Sequence, residues 1–168
     1  MNVRKICLFF SLLLLSGHAP ATQFKPLSIR DIVEHSDLIV QGTVRAKTCQ
    51  RDATGRIYTR VELDLTEVWK GAPTNHCVIA LGTATLGEEN VVISGEATYE
   101  IGEEVVACLV VNARGEGVTL SLAHGKFHVE RDAQTGQKHA RNLFHGGGGN
   151  ARLHVTEFKR QVGNHLRP

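Results

Sequence analysis

The sequence predicts a mainly β protein: a small closed or partly open antiparallel barrel, with one short helix before it and one after. Three observations carry this expectation. About eight short strand-like runs fall at regular spacing, the longest of them alternating apolar and polar residues with a period of two. Gly-, Asn- and Asp-containing turns separate them. Only two segments, near 28–36 and 156–162, show helical spacing instead. A length of 168 residues and an apolar share of 42% suit one folded domain.

The N-terminus reads as a secretory signal. Arg4 and Lys5 give a positive start, residues 6–15 are apolar except Ser11, and Ala19-Pro20-Ala21 is a small-x-small cleavage pattern. The apolar run is about half the roughly 20 residues that cross a bilayer. His18 stands where a lipoprotein signal requires Cys, so no lipid anchor is expected. The expected organisation is a signal over 1–21, a barrel domain over 22–145, a glycine linker at 146–149 and a tail with a short helix over 150–168. The expected location is secreted or periplasmic.

Residues 22–27 form an extended lead-in. A helix then starts at Ser28, whose hydroxyl can cap it, with Asp31 placed to complete a capping box. Ile29, Ile32 and Val33 share one face, and the helix ends near Ser36. Its expected role is to plug one end of the barrel.

Residues 38–48 read as a strand, with Gly42 marking a bulge or bend. Asp52 to Gly55 is a turn. The longest strand is 57–68: Val61, Leu63 and Leu65 point one way, while Arg60, Glu62, Asp64 and Thr66 point the other. The phase slips at Glu67-Val68-Trp69, which suggests a bulge. A turn at 70–73, a strand at 77–81, a loop at 82–90 and a short strand at 91–94 follow. Residues 105–111 are apolar throughout, fit for a buried strand. Strands at 118–122, 126–131 and 137–143 complete the set. The last two are joined by an Asp132–Gly136 turn that repeats the chemistry of Asp52–Gly55. Thr156 can cap a final helix, with Val155, Phe158 and Val162 as a thin apolar stripe. Whether that helix docks stays open.

Three motifs fall in order: Asp37-Leu-Ile-Val-Gln-Gly-Thr-Val44, Glu67-Val-Trp-Lys-Gly71 and Tyr99-Glu-Ile-Gly-Glu103. The chain resembles a widespread type of exported bacterial protein whose function is not settled. Its layout over residues 37–111 also resembles the OB-type barrel of tissue-inhibitor-of-metalloproteinase (netrin-like) modules. That resemblance implies an OB-like barrel and puts a protease among the conceivable partners. The inhibitory mechanism of those modules uses an N-terminal Cys on the protease zinc. The predicted mature start here is Thr22, with no later Cys before Cys49, so that mechanism does not transfer.

The charge is unevenly placed. The signal carries two bases and no acid, which leaves 17 bases against 17 acids. Residues 22–120 hold 9 bases and 14 acids, whereas 121–168 hold 8 bases and 3 acids. Two oppositely charged faces of one domain would account for this. An acidic barrel with few aromatics argues against nucleic-acid binding.

Signatures of catalysis are missing from the sequence. It holds no Gly-x-Ser-x-Gly elbow and no His-Glu-x-x-His. The glycines at 146–149 lack the flanking strand and Lys-Ser/Thr of a phosphate loop. Glu88-Glu89 and Glu103-Glu104 are adjacent pairs whose members face opposite sides of a strand. The expected function is therefore a non-catalytic module that binds a protein or peptide. Its surface would combine the 82–90 loop, with Glu88 and Glu89, and the turn carrying Trp69 and Lys70. One alternative is a metal-binding protein or small metalloenzyme, with His124, His128 and His139 holding zinc or copper. Another is a structural envelope protein. No other cofactor is expected. Cys49, Cys77 and Cys108 are disulfide candidates in an oxidising compartment. An odd count leaves at least one thiol without a partner in the chain, and the pairing stays open.

Overall fold

The first helix, α1 (Ile29–His35), starts where the sequence places its cap. The Ser28 hydroxyl accepts from the Asp31 N–H at 3.1 Å, and the Asp31 carboxylate accepts from the Ser28 N–H at 3.1 Å. A computed structural model describes residues 27–73, 76–144 and 152–167. The expected signal, the glycine linker and His145 lie outside the described residues.

Among the described residues, ten strands follow α1. They are β1 (Leu38–Arg51), β2 (Ile57–Lys70), β3 (His76–Leu81), β4 (Ala84–Leu86) and β5 (Glu89–Val91). Then come β6 (Glu104–Val111), β7 (Gly117–Thr119), β8 (Lys126–Arg131), β9 (Lys138–Arg141) and β10 (Arg152–His154), with α2 (Val155–Leu166) last. Strands β1, β2, β3, β7 and β6 pair in that order, and β6 pairs back onto β1 to close a five-stranded barrel. The arrangement is compatible with an OB-like barrel, as expected. It is mixed rather than purely antiparallel, because β3 meets β7 in parallel through one pair, Ile79 with Gly117.

The two long strands stay paired while the barrel curls because three residues drop out of register. Between paired positions, β2 carries Thr66 and Trp69 as extra residues, and β1 carries Arg45. The predicted slip at Trp69 is one of these, and the predicted bend at Gly42 adjoins another. A Cβ at Gly42 would lie 2.5 Å from the Asp64 carbonyl oxygen, so only glycine lets the strands approach there.

Some elements differ from expectation. The 82–90 loop folds into a small hairpin of β4 and β5, and the chain leaves strand geometry after Val91. The predicted 118–122 strand ends at Thr119, because residues 120–125 loop out of the ladder. Cys108 bridges this gap: its carbonyl accepts from the Leu120 N–H and its N–H donates to the Gly125 carbonyl. The strand then resumes as β8 on the same edge of β6. A Cβ on Gly125 would sit 2.4 Å from the Cys108 carbonyl oxygen, so the pinch demands glycine.

Two cores lie back to back across β6. Val105, Ala107 and Leu109 face the barrel interior with Val40, Val61, Leu63 and Tyr99. Val106 and Cys108 face outward into a second cluster with Ile39, Trp69, Phe127 and the buried faces of both helices. Helix α1 therefore does not plug the barrel; Ile32 and Val33 pack on its outer wall beside α2. The final helix is docked, with Phe158 fully buried. It is longer than predicted and starts after His154 without a side-chain cap, so Thr156 does not cap it. Strands β8, β9 and β10 extend the sheet beneath it.

Phe158 contacts Phe127 at 4.6 Å and meets Trp69 edge-on at 5.3 Å, between ring centroids. Replacing it with Ala should lower unfolding stability by about 3–5 kcal/mol. Urea unfolding followed by the fluorescence of Trp69, the chain's single Trp, measures this. A loss under about 1 kcal/mol would mean that the helix contributes little to the fold.

Candidate functional site

At one end of the barrel, three turns converge. In the β1–β2 turn the Asp52 carboxylate accepts from the Thr54 hydroxyl at 2.7 Å and from the Thr54 and Arg56 N–H groups. Those bonds, the Thr54 hydroxyl first, outweigh burial and hold the Asp52 carboxyl down at about 2. The β6–β7 turn uses the same chemistry: the Asn112 side-chain oxygen accepts from the Arg114 and Glu116 N–H groups. The β4–β5 hairpin reaches the first turn through an ion pair between Arg51 and Glu89.

Polar side chains tie these turns together. The Arg114 guanidinium lies 4.5 Å above the Tyr58 ring and donates to Glu116 at 2.6 Å. The Tyr58 hydroxyl donates to the same Glu116 at 3.1 Å. Arg56 pairs with Asp52 at 3.1 Å. Each arginine is matched by a carboxylate, so the rim has mixed charge rather than a basic track.

An apolar strip runs beside this network. Val91, Ile93, Val110, Val118 and Leu122 are each about 39–43% exposed. Two adjoining cavities of about 510 and 520 Å3 lie along it and share Asn112 and Val118. The strip follows the seam where β3 and β7 touch through one pair. Glu96 shapes its edge by accepting from the Gly82 and Thr83 N–H groups, each at 2.7 Å. At the other edge, Ser121 and Leu122 hold left-handed backbone angles, φ 46° and 63°. Such angles cost roughly 1–2 kcal/mol each for residues other than Gly. Asn142 holds the loop by donating to the carbonyls of Ala123, His124 and Lys126.

The residues that sequence reasoning selected do not assemble. Trp69 is 8% exposed, and its Nε1 donates to Glu67 at 3.0 Å. Lys70 donates to the carbonyls of Val33 and Ser36, where α1 ends. Neither is displayed as a recognition surface. Glu89 faces Arg51, and Glu88 is exposed at the tip of the β4–β5 hairpin. This hairpin lies near Thr59, at the other end of β2 from Trp69. Ten residues of strand, about 33 Å, separate the two, so the combined surface does not form.

The three selected histidines are also apart in role. His124 is buried; its Nδ1 donates to the Ser121 carbonyl, and its ring stacks on Phe144 at 4.3 Å. His128 is exposed, with Nδ1 against Glu103 at 2.8 Å. The His139 ring meets that of His154. Among the described residues, no three His, Cys, Asp or Glu side chains stand together as a metal-holding group. His124, His128 and His139 therefore do not form the site that their spacing suggested.

Among the described residues, Cys49, Cys77 and Cys108 are not bridged. Cys77 lies in the barrel interior, and Cys108 lies on the opposite side of the sheet. Burial pushes the Cys77 thiol up to about 11 and the Cys108 thiol up to about 12. Cys49 is half-buried, and its thiol is lowered by the Thr59 hydroxyl and the Thr85 backbone. The strip residues themselves escaped sequence reasoning. Val110 and Val111 end an apolar run that reads as wholly buried, and nothing local shows that its last two residues are exposed.

No protein-family model matches the chain, and comparison with curated proteins finds no match. Among the described residues, no helix is long and apolar enough to cross a membrane.

A thiol-reactive dye should modify Cys49 in the folded protein, and Cys77 and Cys108 only after denaturation. Fast reaction of two or more of these thiols, or of none, would contradict their placement.

Proposed function

We propose that this chain is a secreted or periplasmic binding module without catalytic activity, which grips a protein or peptide partner through the apolar strip. The observation that carries this reading is the strip itself. Aliphatic side chains lie open beside two cavities, ringed by paired charges, which is how a protein-recognition patch is built. The left-handed residues at 121 and 122 support it, because strain that displays Leu122 is retained where function requires it. The balanced charge favours a polypeptide over a polyanion. The partner class includes exported proteases, as the resemblance to inhibitor-type barrels implies.

The reading is tested by capture from secreted and envelope fractions. The mature protein should retain a partner, and Val118→Asp should abolish retention at unchanged thermal stability. Leu143→Asp, at an exposed position outside the strip, should retain it. Empty captures, or capture indifferent to Val118→Asp, would overturn the reading.

A further inference from the structure

We propose that His139 and His154 form a seat for one divalent late transition-metal ion, with copper(II) preferred. The two residues are direct partners across β9 and β10. Side chains opposed in an antiparallel pair lie on one face with Cβ atoms about 4.5–5.5 Å apart, close enough to share a ligand. Here the imidazole centroids are 4.3 Å apart, with the planes tilted by 45°. His154 is exposed and His139 half-buried, so the pair is open to solvent. Neither ring makes a hydrogen bond to a described residue, whereas Nδ1 of His124 and of His128 is already engaged.

Imidazole nitrogen suits copper(II), nickel(II) and zinc alike, so the choice among them follows from affinity. Glu130 opposes His139 on the third strand and extends the row, but it is held by Arg141 at 2.8 Å and Arg152 at 3.7 Å. Water would complete the coordination shell. Copper(II) binds nitrogen donors most tightly among the divalent first-row ions. Sequence spacing misses the pair, because the two residues are 15 positions apart with the glycines between them.

The test is a copper(II) titration of tag-free mature protein near neutral pH, read by calorimetry and by electron paramagnetic resonance. The expected result is one tetragonal copper per chain, with coupling to two imidazole nitrogens. His139→Gln and His154→Gln should each weaken binding by at least about tenfold. His128→Gln and His165→Gln should leave it unchanged, and circular dichroism confirms that each variant is folded. Zinc should bind more weakly than copper. Copper binding equal in wild type and His154→Gln, or weakened as much by His165→Gln, would overturn the proposal.

Discussion

The structure depends on β6 being buried on both faces. Residues 105–109 are all fully inaccessible, yet alternate members serve different cores. One edge of β6 closes the barrel against β1; the other is shared by β7 and β8. Losing the strand would open the barrel and remove the floor beneath both helices together. The constraint also explains the glycines nearby. Gly125 must pass against the Cys108 carbonyl, and Gly117 must lie against Leu109, whose Cδ1 a Cβ would approach to 2.6 Å.

The charge imbalance between residues 22–120 and 121–168 finds its counterpart in this arrangement. Lys126 pairs with Glu103 at 2.6 Å, Lys138 with Glu104 at 2.7 Å and Lys159 with Glu67 at 2.8 Å. Each pair joins a base of the basic segment after residue 120 to an acid of the segment before it. Burial raises the Glu103 carboxyl, but Lys126 and the Glu100 N–H outweigh it and hold it below the usual range. Lys126 also lies 4.9 Å over the Tyr99 ring, at the rim of the barrel. Lys159–Glu67 is exposed, and a pair of that kind adds about 0–1 kcal/mol; Lys126–Glu103 is largely buried. The value of the three pairs lies in fixing where β8, β9 and α2 sit.

Much of the fold could be read from local patterns. The Ser28–Asp31 box, the alternation of Val61, Leu63 and Leu65, the apolar run of β6 and the slip at Trp69 each report their own structure. Long-range outcomes could not be read. Trp69 looks like an end-of-strand anchor until α2 returns from 89 residues later in the chain to cover it. The β3–β7 seam is one residue pair, and no periodicity encodes that. His139 and His154 meet only through the β9–β10 register, which no spacing rule encodes. The candidate surfaces were missed because each is assembled by a pairing register that no local pattern encodes.

If β6 welds the barrel and the helical layer into one unit, the two must open together. Native-state hydrogen exchange tests this directly. Amides of residues 105–109 in β6 and 158–162 in α2 should exchange with the same opening free energy and the same denaturant dependence, equal to those of global unfolding. Exchange of the α2 amides at markedly lower free energy, with β6 still protected, would show two separable units and contradict the account.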